Sequence, residues 1–424
     1  MLNKFLQAFK IPEIRNKILV IAGLLAAFRL MAAIPLPGID RARLLELFGS
    51  NQLLGFLNIF SGGALDNLSI MMLGVGPYIT STIVMQLLTM IFPKLKAMYY
   101  EEGAIGRAKF NRYSLYLTVP LAALQSYGLL NLLNQQGVFL NFTLFNTITS
   151  VIIATAGSMV LVWLGNIITK QKLGNGVSLI IFSGIVSGIP QTIKQAILSY
   201  DPSVITTYVA FVILSVIIVA GVVFMTEGER KIPVSYAKRV RGNKMYGGVS
   251  SYLPLKVNQA GVIPIIFAIS ILLFPQFLAQ ISAIISKDFS VKFNDWVVYF
   301  LNNQIIYGLA YFALVVLFTY FYTSIIFDPK EISKNLQQAG GFIPGIRPGP
   351  STGEFLLKII NRITLFGAFF LGFIAVLPNI TQILTGINRL TIGGAALLIV
   401  VSVALETMKQ IDSQLVVREY DGNF

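Results

Sequence analysis

The chain has 424 residues, 55% of them hydrophobic and only 12% charged, with a formal net charge of +14. Soluble globular domains carry roughly 25% charged residues, so that class is excluded at the outset. Zero cysteines rule out disulfides and thiolate metal sites, and zero histidines remove the commonest general base and metal ligand, so neither catalysis nor a cofactor is expected.

Ten apolar runs follow one another, at 18–36, 68–92, 113–133, 147–168, 176–193, 204–225, 258–280, 304–327, 357–377 and 391–408. About 20 apolar residues cross a bilayer, so the pattern predicts an all-α polytopic membrane protein with ten transmembrane helices. Only Arg29 lies well inside a run. A charge at a helix centre costs about 2.5–3.5 kcal/mol, and the near-absence of others is what a spanning chain requires. An amphipathic segment, 1–17, precedes the first run. That run leads into LPGID rather than a small-residue cleavage site, so it reads as a span and not as a cleaved signal.

Between the first two runs lies NIFSGGALDNLSIMMLGVGPYI, residues 58–79. The piece from about 55 to 66 is too short to span and predicts a half-helix, entering from the external side and turning at Gly62 and Gly63. Asp66 then stands near the start of the next span, where a carboxylate suits a helix N-terminus. An external amphipathic hairpin is the alternative. Further on, Pro77 and Pro264 are expected to remove a backbone donor within their spans. The loops 226–257 and 328–356 are too long and polar for simple connectors. A tail, 412–424, follows the last span.

With a cytoplasmic N-terminus, most of the 32 Lys and Arg fall on the cytoplasmic side, and only Arg41, Arg43, Lys194, Lys287, Lys292 and Arg389 on the other. This follows the positive-inside rule and puts both termini in the cytoplasm.

The two halves of the chain resemble each other. GVGPYI at 74–79 reads against GVIPII at 261–266, and GVSLII at 176–181 against GAALLI at 394–399. The shift that carries residue 74 onto 261 also carries residue 17, near the start of the first run, onto 204, near the start of the sixth. Five spans followed by five similar spans have opposite topology, because five is odd. The expected architecture is an inverted repeat of 18–195 and 204–411, joined by a loop at 196–203.

The segments FSGGAL (60–65), PYIT…QLLT (77–89), GNGVSLIIF (174–182), KMYGG…SSYLPLKVNQAGVIP (244–264), GGFIPGIRPG (340–349) and GGAALLIVV (393–401) resemble the signature segments of the SecY family. SecY is the channel subunit of the bacterial protein-export translocase. The resemblance implies an hourglass channel of two clamshell halves, sealed at its waist by apolar side chains from Val75, Ile79, Ile181, Ile266 and Ile399. It implies a re-entrant plug covering about 56–66, with Phe56, Phe60, Ser61, Gly62, Gly63, Ala64, Leu65 and Asp66. It implies a lateral gate between spans 2–3 and 7–8, bordered by Pro77, Thr80, Gln86, Gln125, Asn258, Pro264 and Phe274, with the amides placed to form a hydrogen-bonded latch. It also implies that Lys238, Arg239, Arg241, Lys244 and Arg347 bind the SecA ATPase or the ribosome. The implied partners are SecE, SecG, SecA, the ribosome, the signal peptide, the translocating polypeptide and lipid, all at the cytoplasmic (inner) membrane.

An inverted-repeat secondary transporter of a small solute is the competing reading. Transporters place ionisable residues at mid-membrane, and this chain has only Arg29, on a span outside the expected pore. An intramembrane enzyme would need a Ser–Lys, Asp–Asp or metal constellation within the spans, and the sequence shows none.

Overall fold

The computed structural model describes residues 9–37, 39, 43–44, 58, 61–65, 67–139, 143–198, 205–236, 239–241, 244–246, 250–285, 287–385 and 394–420. A helix stands at each of the ten predicted runs. In chain order the elements are α1 (Pro12–Ala32), α2 (Gly76–Ile91), α3 (Pro93–Tyr100), α4 (Gly103–Gln135), α5 (Leu144–Lys170), α6 (Gly176–Leu198) and α7 (Ile205–Glu227). Four strands follow: β1 (Glu229–Tyr236), β2 (Arg239–Arg241), β3 (Lys244–Tyr246) and β4 (Ser250–Lys256). Then come α8 (Ile263–Ile285), α9 (Lys287–Asn302), α10 (Gln304–Ile326), α11 (Pro329–Gln338), β5 (Gly341–Phe342), α12 (Pro350–Thr385) and α13 (Gly394–Tyr420). Among the described residues, Leu144–Lys170, Gln304–Gln338 and Pro350–Thr381 are each long and apolar enough to cross a membrane, and Gly76–Ile91 with Pro93–Tyr100 forms a stretch bent by 113°. The bend falls at Phe92, which is extended (φ −105°, ψ 106°) because the following Pro93 bars it from helical angles.

Several predicted boundaries move, each for a physical reason. α1 ends at Ala32, inside the run 18–36, because Pro35 and Pro37 cannot continue a helix. The second run becomes helical only at Gly76; residues 67–75 form successive turns, apart from a bridge at Ser69. Hydropathy reads apolarity and is blind to backbone shape, so it could not separate these turns from the helix. Pro77 falls in the first turn of α2, and Pro264 is the second residue of α8. The expectation that they remove a ladder donor is therefore corrected: first-turn N–H groups have no intrahelical partner anyway. The helices α4, α12 and α13 outrun their apolar cores, since helix-forming Lys, Glu and Gln continue them beyond the apolar run.

Two compact units divide the chain: Met1–Ile205 with Ser270–Asn302 and Ile399–Phe424, and Thr206–Ile269 with Asn303–Leu398. In the first, α4 packs on α2, α3 and α5, and α1 packs on α5 and α6. The irregular segment is buried here. Leu65, Leu68 and Met72 join Leu36, Leu44, Leu129, Leu130, Leu133, Val138 and Ala154 in one apolar cluster. Its backbone is satisfied by protein: Leu36 N–H donates to the Leu68 carbonyl (2.9 Å), Ile70 N–H to the Ile34 carbonyl (3.0 Å), and Ser158 Oγ to the Gly74 carbonyl (2.8 Å). Non-helical backbone survives at membrane depth only under such cover.

In the second unit α10 packs along α12, and α11 lies against α12. The two long loops build structure that the sequence reading did not anticipate: an antiparallel sheet in the order β4-β1-β5. Its inward side chains, Ile232, Val234 and Leu255, close over Ile343, Leu356, Ile359 and Ile360. The period-two alternation of Ile232, Val234 and Tyr236 was the available signal. Rows of large apolar side chains stay exposed on α5 (Ile148, Ile152, Trp163), α7 (Val212, Ile213, Val216, Ile217) and α12 (Phe366, Phe369, Phe373). Patches of that extent ask for hydrocarbon, not water.

Candidate functional site

The internal repeat reappears as repeated geometry. Gly74 and Gly261 both take left-handed backbone angles (φ 58° and 62°), open to glycine at little cost. A helix begins two residues later in each case, at Gly76 and Ile263. The first turn then closes identically, Ile79 N–H on the Val75 carbonyl (3.1 Å) and Ile266 N–H on the Val262 carbonyl (3.3 Å). The other matched stretches, 176–181 and 394–399, are helical in both copies, in α6 and α13. Ile79 and Ile266 thus hold equivalent places in their helices. All five apolar positions singled out in the sequence, Val75 included, are at most 7% exposed.

Between residues of α1 and α6 sits the Gly62–Gly63 turn, with φ of 65° and 80°. Gly63 N–H donates to the Asn58 carbonyl at 2.8 Å, with Gly62 in a left-handed position between them. Ser61 Oγ donates to the same carbonyl (2.9 Å) and accepts from Leu65 N–H (3.0 Å). Ser61, Ala64 and Leu65 are buried. Phe56, Phe60 and Asp66 lie outside the described residues.

Of the expected gate residues, Gln125 Nε2 donates to Thr80 Oγ1 at 3.5 Å, within one unit. Asn258 Nδ2 is turned to the Gly261 carbonyl (3.2 Å). Gln86 Oε1 and Asn258 Oδ1 are buried and lack a hydrogen-bond partner among the described residues. Pro77 and Pro264 are buried, and the Phe274 side chain lies outside the described part.

On the polar loops, β2 pairs with β3 in the register Arg239–Tyr246, Val240–Met245 and Arg241–Lys244. Lys238 lies outside the described residues, as do the side chains of Arg239, Arg241 and Lys244. Arg347 is exposed on a loop fastened around it. Thr352 Oγ1 donates to the Arg347 carbonyl (2.9 Å), Ser333 Oγ to the Gly349 carbonyl (2.5 Å), and Ile346 N–H to the Ile343 carbonyl (3.0 Å). α11 is capped by Asp328, whose Oδ1 accepts from Lys330 and Glu331 N–H.

Two residues of this region were given no part in the site by the sequence: Gly184, which touches the Gly62 turn, and Arg29, which was noted inside its span but set outside the expected pore and which bonds to that turn. The signal for Arg29 was present, because an ionisable residue inside a span marks a functional site by default.

A buried interrupted segment in one half of the chain, and equivalent helix starts in both halves, mark a polytopic helical membrane protein of the inverted-repeat class. Comparison with known proteins narrows this. The SecY family model matches residues 69–408. The protein translocase subunit SecY of Mycobacterium bovis is 40% identical over 445 residues, covering 100% of this chain and 99% of the relative. Two solved structures share the fold at 19% identity, each covering 94% of this chain and 91% of its own. One is a SecY whose plug domain is described as stabilising the closed channel and maintaining a membrane seal (TM-score 0.65). The other is Sec61 in a canine ribosome–channel complex (TM-score 0.62). The chain belongs to the SecY family.

Proposed function

We infer that the chain is the protein-conducting channel of a translocase, moving unfolded secretory polypeptides across the cytoplasmic membrane and releasing signal and transmembrane helices sideways into lipid. The observation that carries this is end-to-end similarity to SecY relatives in a chain whose repeat begins equivalent helices with buried Val and Ile. In this reading Val75, Ile79, Ile181, Ile266 and Ile399 form an apolar collar between the halves 18–195 and 204–411, hinged at 196–203. Such a collar resists ions by dewetting and offers them no charged site. Aliphatic side chains also part for any sequence, because they make no specific hydrogen bonds. The 56–66 segment is the plug.

Gln86, Gln125 and Asn258 border the gate. Gln86 Oε1 and Asn258 Oδ1, which have no hydrogen-bond partner among the described residues, supply acceptors for an interhelical latch, worth about 0.6–2 kcal/mol per bond, weak enough for a hydrophobic signal helix to displace. Energy comes from SecA or the translating ribosome, docked on the cytoplasmic loops through Lys238, Arg239, Arg241, Lys244 and Arg347. Exposed guanidinium and ammonium groups suit ribosomal phosphates and acidic protein alike. SecE and SecG are the expected membrane partners, and both termini lie in the cytoplasm. The test is reconstitution of the chain with those subunits in vesicles. ATP and SecA should carry a secretory precursor into a protease-protected lumen. Failure of that, with ion-coupled uptake of a small solute instead, would overturn the reading.

A further inference from the structure

Arg29 sits in the last turn of α1 and reaches two other segments at once. Its Nη1 donates to the Gly62 carbonyl (2.8 Å) and its Nη2 to the Ser183 carbonyl on α6 (2.6 Å). The backbones it joins leave no slack. A Cβ on Gly184 would stand 2.1 Å from Gly62 Cα, and one on Gly62 would stand 2.8 Å from Cζ of the fully buried Phe28. A Cβ on Gly63 would lie 3.4 Å from Arg29 Nη1 itself.

We propose that Arg29 is a latch: a positioning residue whose guanidinium holds the Gly62–Gly63 turn against α6, and whose bond to the Gly62 carbonyl breaks when the turn leaves. The proposal rests on the reading of this segment as the plug. Three features carry it. The acceptor on the turn is the Gly62 backbone carbonyl, so this bond senses whether the turn is seated. A planar guanidinium serves acceptors on two elements together, which a point-like ammonium does poorly. Its place at the C-terminal end of α1 stabilises the cation through the helix dipole. The charge therefore persists while the turn is away, held by Ser183 and ready to recapture Gly62.

The chain lacks cysteine, so a single introduced thiol reports cleanly. Ala64→Cys lies within the turn segment and Ala122→Cys on α4; both alanines are fully buried. The full chain in vesicles is exposed to a small maleimide. Arg29→Met should speed labelling at position 64 by roughly tenfold per charged hydrogen bond lost, Arg29→Lys by less, and position 122 should stay unlabelled in every background. Unchanged labelling at 64 would overturn the latch, as would position 122 reacting in step, which would mean general loosening. Should Arg29→Met fail to reach the membrane, Arg29→Lys decides alone, and labelling as slow as in the parent contradicts the proposal. Ion leakage from the same vesicles separates the two readings. Faster labelling without added leakage supports the latch and overturns the plug as a seal.

Discussion

Residues 74–79 and 261–266 begin helices in the same way, yet the chain reaches them through opposite kinds of structure. Before the first lie the turns of 67–75, largely buried from Leu68 on, and the Gly62–Gly63 turn, bonded to α1 and α5. Before the second lies β4, an antiparallel partner of β1, from which Val257 N–H returns to the Gly228 carbonyl at 2.9 Å. The repeat thus specifies where a helix starts and which apolar residue stands one turn in. What precedes the start is free to specialise, as a buried turn in one half and a polar sheet in the other. A second equivalence makes the same point. The shift that carries Gly176 onto Gly394 carries Gly184 onto Ser402, which is buried and bears a side chain. Only the copy facing the Gly62 turn requires glycine.

The largest expected effect tests that asymmetry. Gly184→Ser drives a Cβ into the Gly62 backbone and should lower stability by about 1–3 kcal/mol or more, with raised resting ion leakage. Ser402→Gly removes a side chain from a site that already holds one and should cost about 1 kcal/mol. Thermal unfolding in detergent, beside leakage from vesicles, distinguishes them; equal penalties would break the comparison. Next, Ile79→Ser and Ile266→Ser should each make resting vesicles leak ions, and the pair more than either alone. Leakage unchanged from the parent would remove the collar assignment. Smaller again, Gly74→Ala and Gly261→Ala each force a Cβ into a left-handed angle and should cost about 1–2 kcal/mol, alike in size if the two starts are equivalent. The smallest effect on folding is at Arg347→Ala. The loop there is fastened through the Arg347 carbonyl, so stability should shift by under ~0.5 kcal/mol. SecA- or ribosome-driven transport should fall while resting leakage stays put.

What was legible in the sequence was whatever apolarity and repetition encode. The ten runs each became a helix because bilayer-length hydrophobic stretches have few other options. The matched Gly and Pro positions became matched helix starts because left-handed glycine and first-turn proline act locally. The turns of 67–75 were hidden within an apolar run, since burial in protein and burial in lipid select the same residue types. Pro77 looked like a mid-span breaker only because the run was taken to begin at 68. The sheet was missed because its strands are short and lie in loops read for charge. Gly184 could not be singled out among 36 glycines without knowing that another backbone passes against it.

The central claim is that the two equivalent isoleucines meet across one seal. With no native cysteine to interfere, Ile79→Cys and Ile266→Cys can be combined in a single chain and oxidised in resting vesicles. A disulfide needs Cβ atoms about 3.5–4.5 Å apart. The account predicts a cross-link, by disulfide or short bis-maleimide, that forms at rest, blocks precursor translocation and fails to form while a polypeptide is trapped in transit. Absence of any cross-link at rest, or one that leaves translocation untouched, would contradict it.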